Sequence, residues 1–316
     1  MLNDIELTWV VAHEPLDLFI KSANTFKRII ENESNGRIKI NVITREQFHY
    51  ENNDGKDDGF YRYLKNNKFQ MAQFPSGILG RRYADFFAFD LPFLFRDHEH
   101  ARKVLDGRIG QFLLERLSEK SDVQGLAFTY SGGFRVIVSE KPVEKLEDIT
   151  GMTLSCAESP VVKETYELLG AKVFLDEDGF DLHSHFEREP NIKFDGGETT
   201  LVRYEKIKTL MPYITNSKHS LFLTTIVISN QFWDTLSEED KVLFKTAAKK
   251  SALEERTNTI QDTEEFINNS KQHCKGFYQL DDEQLERMKI LTSSVYKSDF
   301  VKNYISPALV KKIVST

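Results

Sequence analysis

The chain has 316 residues, 40% hydrophobic and 29% charged, with a formal net charge of -7. That length exceeds what one core commonly serves, so two domains of roughly 150 residues each are expected. The acidic balance argues against a nucleic-acid surface, no apolar run approaches the ~20 residues of a membrane span, and the two distant cysteines, Cys156 and Cys274, set neither a disulfide framework nor a metal spacing.

Met1-Leu2-Asn3-Asp4 passes directly into a strand-like segment, which suits a cytosolic protein or a mature exported one whose leader is absent. Glu6 to Val11 reads as a buried first strand that breaks at His13-Glu14-Pro15. Phe19, Ala23, Phe26, Ile29 and Ile30 then form one apolar stripe of a helix ended by Asn35-Gly36, and Arg37 to Val42 alternates as a strand. This βαβ opening implies a parallel sheet with a right-handed crossover. It places His13 at the carboxyl end of a strand, where open α/β sheets bind ligands; the plainer reading is a loop histidine bonded to a nearby carbonyl. Tyr50 to Asp58 is polar and acidic and reads as loop, followed by a short helix carrying Phe60, Tyr63 and Leu64. Phe69 to Phe74 is a further strand whose end delivers Phe74 toward a cleft, with core packing as the commoner role of such a residue. Phe86 to Phe95 is dense in aromatics and reads as core; His98 and His100, two apart at a helix start, do not face one metal.

Gly125 to Tyr130 is an apolar crossing, followed by Ser131-Gly132-Gly133-Phe134-Arg135 and the β-branched run Val136 to Val138. An arginine emerging after a glycine pair is able to hold an anion, although a surface arginine on an exposed strand fits the same pattern. Gly151 to Ser155 reads as a short strand ending at the polar loop Glu158-Ser159-Pro160, and Cys156 packs as a small hydrophobe. Asp176 to Asp181 is acidic, with His183 and His185 nearby; these histidines read as solvated loop residues rather than a zinc site. Ser237-Glu238-Glu239-Asp240 is a capping-box-like start of a helix expected to continue to about Cys274, about 55 Å at ~1.5 Å per residue. An amphipathic segment from Gln284 to Tyr296 and a basic tail finish the chain.

Leu91 to Asp97, Gly133-Phe134-Arg135, Lys141-Pro142-Val143, Leu146-Glu147-Asp148, Leu169-Gly170-Ala171, Phe194 to Glu198, His219-Ser220, Ile228-Ser229-Asn230 and Leu236 to Lys241 occur in one order and spacing. In these the chain resembles the periplasmic substrate-binding proteins of TRAP (tripartite ATP-independent periplasmic) transporters, the C4-dicarboxylate and sialic-acid-binding group, over nearly its whole length. The resemblance implies an α/β, two-lobed periplasmic-binding-protein-like fold with crossing strands and a long lobe-spanning helix. Lobe 1 is expected over residues 1–127 plus about 221–250, lobe 2 over 128–220 plus about 251–280, with C-terminal helices over 281–316 packing on the lobes.

In the resembling proteins an arginine that pairs with the ligand carboxylate stands where this chain has Ser155; Arg135 matches a second arginine of the family, and Thr199 replaces an asparagine after Glu198. The ligand is an organic acid or, with the pocket reshaped, a neutral, aromatic or cationic molecule. The expected contacts are His13 and Phe74 from the first lobe and Arg135, Ser155, Cys156, Glu198 and Thr199 from the second, with His219 near the crossing strand. No enzyme activity, metal or cofactor is expected. The resemblance implies a monomer in the periplasm that captures a small molecule by lobe closure and delivers it to TRAP permease subunits, with no nucleic-acid partner. A ligand sensor without a permease and a hydrolase using Ser155 or Cys156 are the alternatives.

Overall fold

The computed structural model describes residues 4–13, 16–48, 58–176 and 182–316. The loop expected from Tyr50 onward lies outside these residues as far as Asp57, as do Glu14, Pro15 and the acidic residues Glu177, Asp178 and Asp181.

The described strands are β1 (Ile5–Val11), β2 (Ile38–Thr44), β3 (Met71–Pro75), β4 (Val123–Ser139), β5 (Thr153–Ala157), β6 (Lys172–Asp176), β7 (Gly196–Thr200), β8 (Tyr213–Asn216), β9 (Leu221–Ser229) and β10 (Gly276–Gln279). They run in the order β2-β1-β3-β9-β4-β7-β5-β6, with β8 joining β4 to β10. β1 and β2 pair in parallel, as the opening βαβ pattern predicts, and the Leu16–Glu33 helix between them buries Phe19, Ala23, Phe26 and Ile30. Asn35 and Gly36 end that unit with positive φ, 51° and 78°. Two-residue alternation sorts the strand side chains onto two faces: Trp9, Val11, Ile226 and Ile228 enter one apolar cluster, and Val10, Phe74 and Val227 the other.

The segment read as an apolar crossing followed by a separate β-branched run is one continuous strand of 17 residues, β4. Its first part pairs with β9 up to Phe134; from Arg135 it pairs with β7 on one edge and β8 on the other. One strand therefore belongs to both lobes. The change of lobe falls at a register shift between Tyr130 and Gly133, where Gly132 and Gly133 take φ of 90° and 83°, a region open to glycine. A Cβ on Gly132 would collide with the Thr200 side chain, so close approach of β7 also requires glycine there.

The second bridge is the Glu238–Asn268 helix, capped at its start by Ser237, whose side chain accepts from the Asp240 N–H. At ~1.5 Å per residue its 31 residues span about 46 Å. Ala247, Ala248 and Ala252 pack on the first lobe, and Phe266 and Ile267 on the second. The helix ends earlier than the expected Cys274. Asn269 leaves helical geometry and its side-chain amide donates to the Glu265 carbonyl, closing the last turn, after which Ser270–His273 forms a separate short helix. Near the C-terminus, Met288 packs with the second-lobe cluster, while Val301, Ile305, Leu309 and Ile313 join the aromatic core of the first. Among the described residues no helix is long and apolar enough to cross a membrane.

Candidate functional site

Where β4 crosses from one lobe to the other it delivers Arg135, 2% exposed, into a nest of polar side chains. Arg135 Nη1 donates to Glu198 Oε1 on the adjacent β7, and Nη2 lies 3.4 Å from Asp90 Oδ1. The guanidinium carbon sits 3.8 Å from the centre of the Phe222 ring, while Nε has no hydrogen-bond partner among the described residues. Glu198 Oε2 lies 3.0 Å from His219 Nε2; since a carboxylate only accepts, Nε2 carries the hydrogen. His219 Nδ1 lies 2.8 Å from Ser217 Oγ, and the Tyr166 hydroxyl is 3.2 Å from Nε2.

The charges in this nest follow from its partners. Burial would push Glu198 up, but the Arg135 charge and bonds from His219 and Tyr166 outweigh it and hold the carboxyl below its usual range. Burial pushes Asp90 up to about 6 against the pull of Arg135. Burial, then the charges of Arg203 and Arg135, pull His13 well below its usual value, so this imidazole is neutral. Cys156 packs with Leu154 and Val162, and burial together with Glu198 pushes its thiol well up, the opposite of what a nucleophilic thiolate needs.

Two cavities adjoin the nest. The inner one, about 20 Å³, is bounded by Arg135, Ser155, Cys156, Glu198, Arg203 and Phe222 and has room for roughly one water. The outer one, about 400 Å³, is lined by Leu16 and Asp17 at the start of the first helix and by Thr199, Arg203 and Lys206, among others, from the second lobe. Alternation along β7 explains why Glu198 faces the inner cavity and its neighbour Thr199 the outer one.

Six of the expected contacts, Arg135, Ser155, Cys156, Glu198, Thr199 and His219, thus meet at or beside this nest. His13 joins through Ser131, whose hydroxyl is 3.0 Å from Nε2, and through Phe222, whose ring centre is 5.7 Å away. Phe74 does not join. It points to the opposite face of β3 and packs against Phe60 and Tyr61 at ring separations of 5.6 and 5.8 Å, so its role is core; Gln73 is the β3 residue that turns to β4, donating to Thr129. His185 is not a solvated loop residue either: it is buried on the Leu182–Arg188 helix, with Nδ1 2.5 Å from Ser155 Oγ and its ring against Phe194. Such a pair resembles a nucleophile beside a base, yet the cavity before it admits only about one water. Sequence reasoning missed Asp90, Tyr166, His185, Arg203 and Phe222. The signal for Asp90 was legible: an acid inside an aromatic run is buried, and a buried acid needs a partner. Among the described residues no group of three or more side chains is placed to hold a metal ion.

The profile of the bacterial extracellular solute-binding proteins, family 7, matches residues 11–174 and 195–303. The C4-dicarboxylate-binding protein of Bacillus subtilis is 25% identical over 279 residues, covering 87% of this chain and 77% of that one. The C4-dicarboxylate-binding periplasmic protein of Rhodobacter capsulatus is 28% identical over 222 residues, covering 68% of this chain and 62% of its own. The sugar acid binding protein of Advenella mimigardefordensis, solved with galactonate, superposes with a TM-score of 0.87 at 23% identity, covering 100% of this chain and 98% of that one. A TRAP periplasmic solute binding protein of Sulfurospirillum deleyianum with bound succinate gives 0.83 at 23% identity, covering 99% of each chain.

Proposed function

This chain belongs to the family-7 bacterial extracellular solute-binding proteins, those of TRAP transporters, and from that membership we propose that its lobes close on a small organic acid, which it hands to an integral membrane permease. The observation that carries this reading is the meeting of both lobes at one cleft. Leu16 and Asp17 from the first lobe face Thr199 and Arg203 from the second across a cavity of about 400 Å³, within the range of small-molecule sites. A ligand touching both walls stabilises the closed arrangement by contacts the open one lacks. The relatives are named for C4-dicarboxylates, and the similar structures hold galactonate and succinate, which favours an acid here.

In this reading lobe 1 comprises residues 1–127 plus about 221–250 and lobe 2 residues 128–220 plus about 251–280, with β4 and the long helix passing between them. The chain works outside the cytoplasmic membrane, in the periplasm. Arg135, Glu198 and His219 build the floor of the cleft, and His13, Ser155, Cys156 and Thr199 border it. Membership in a family of solute-binding proteins favours capture over turnover. The test is calorimetric titration of the purified chain with organic acids and their uncharged counterparts, followed by mass spectrometry of the released compound. Saturable binding of an acid that leaves unchanged is expected; a compound released in altered form, or no solute bound at all, would overturn the reading.

A further inference from the structure

We infer that the chain carries a second small-molecule site, apart from the interlobe cleft, which takes an acid with an apolar body of about the size of benzoate. The site is the cavity of about 360 Å³ bounded by the Arg108–Lys120 helix, the first part of β4 and the long helix, a volume within the range of small-molecule sites. It shares no lining residue with either cavity beside the Arg135 nest, so it stands independently of the solute-binding reading. Leu105, Leu114, Leu126 and Phe128 supply apolar walls. The register of β4 against β9 shifts between Gly125 and Ala127, so the extra residue of this bulge, Leu126, stands in the wall of the cavity.

The cations come from one stripe of the long helix. Lys245, Lys249, Ala252 and Arg256 follow one another at spacings of four, three and four residues, which stacks them on one face, and all four border the cavity. Lys241, one turn earlier, pairs with Glu238, whereas neither Lys245 nor Lys249 forms an ion pair among the described residues. Lys245 Nζ lies 5.6 Å from the centre of the Trp233 ring, a contact that leaves its charge in place. Two like charges one turn apart repel, and an anion between them relieves that repulsion. Arg256 is committed to the protein: it is 4% exposed, its Nη2 donates to Asp106 Oδ1 at 2.7 Å and its Nε to the Ala252 carbonyl at 3.3 Å. What it retains is a donor. Its Nη1 is buried with no hydrogen-bond partner among the described residues, and a carboxylate oxygen at the guanidinium would accept from it. Two acids border the same space. Asp106 is answered by Arg256, and the exposed Glu115 balances one lysine at most, which leaves the lining one positive charge in excess. Apolar walls below two exposed lysines favour an anion that also has surface to bury, over a bare ion or a neutral ring.

The experiment uses the full chain. Crystals soaked in para-bromobenzoate should show the anomalous signal of bromine inside this cavity. In solution, an NMR titration with benzoate should shift the amide resonances of Leu126, Ala127 and Phe128 saturably. Benzamide, the uncharged counterpart, and acetate, which lacks the apolar body, should bind more weakly. Lys245→Gln combined with Lys249→Gln should weaken benzoate binding at those resonances roughly three- to tenfold. Both lysines are exposed, so the double variant is expected to fold. Should it not, either single substitution decides: weakened benzoate binding supports the site, and unchanged binding overturns it. Bromine found only in the interlobe cleft or nowhere, or binding at crystal concentration only with no saturation in solution, overturns the site. Benzoate bound equally well by the double variant, or benzamide bound as tightly as benzoate, overturns the part given to the lysines and with it the ligand class.

Discussion

Ser155 Oγ and His185 Nδ1 lie 2.5 Å apart in the floor of the second lobe, both buried. The serine stands where resembling proteins carry an arginine, and the histidine comes from the Leu182–Arg188 helix, where the sequence alone reads as solvated loop. Their contact shows that the room a longer side chain at 155 would need is filled from the opposite wall.

Restoring the longer side chain should therefore be harmful by itself. Ser155→Arg forces a guanidinium against the His185 ring and should destabilise the fold by about 1–3 kcal/mol through overpacking. His185→Ala removes the obstruction, so the double variant should be more stable than the two single effects added together, and thermal melts of all four proteins form the required cycle. Strict additivity would mean that the two side chains do not compete for this space.

The Arg135–Glu198 pair predicts a second non-additive cycle. Arg135→Met strands a fully buried carboxylate whose low proton affinity depends on the arginine, and should cost about 3–5 kcal/mol in urea denaturation. Arg135→Met combined with Glu198→Gln removes both charges and should cost less than Arg135→Met alone. If the double variant is the weaker one, the pair is not the electrostatic unit described.

How far these relationships could be read in advance depended on their range along the chain. The opening βαβ unit, the Ser237 cap and the apolar stripe of the first helix rest on neighbours within one or two turns, and periodicity reveals them. The nest around Arg135 rests on partners far away. Asp90 precedes it by 45 residues, and local pattern placed that acid in an aromatic core without saying what neutralised it. Phe74 failed for a related reason: a strand end points toward the cleft, but two-residue alternation turns Phe74 into the aromatic core and Gln73 toward Thr129. Arg203 and Phe222 are ordinary in sequence and come together with Arg135 only when β9 crosses beside β4.

Glu255 yields a prediction about pH. It sits on the long helix, fully buried, accepting from the Tyr130 N–H at 2.9 Å and bonded to the Thr259 hydroxyl at 3.1 Å. Burial pushes its carboxyl up to about 8 from an ordinary 4.5. Between those values the folded protein holds a proton that the unfolded chain has released, so this group's contribution is complete below about 4.5 and is lost as pH rises toward about 8. Glu255→Gln keeps both hydrogen bonds without the titration. The stability difference between the variant and the unaltered protein should shift in favour of the variant as pH rises from 5 to 9, by on the order of a few kcal/mol. A difference constant across that range would place the carboxyl in contact with water.

Gly132 and Gly151 share nearly the same backbone, with φ of 90° and 83°, yet their surroundings differ. Beyond Gly151 nothing lies within 4 Å of an added Cβ, so Gly151→Ala should cost only the left-handed conformation, about 1–2 kcal/mol. At Gly132 the same methyl meets the Thr200 side chain, and Thr200 Oγ1 itself donates to the Ser131 carbonyl at 2.8 Å. Gly132→Ala must then push β7 from β4 or straighten the strand where it changes lobe. Its cost in urea denaturation should exceed that of Gly151→Ala by about 1–3 kcal/mol, the range typical of overpacking. Gly132→Ala combined with Thr200→Ser removes a methyl that does not collide and leaves the hydroxyl oxygen and Cβ that do, so little of that loss should return; Thr200→Gly, which removes both, should return most of it. Equal costs at the two glycines would show that backbone strain alone, and not the close approach of β7, demands glycine at the crossing.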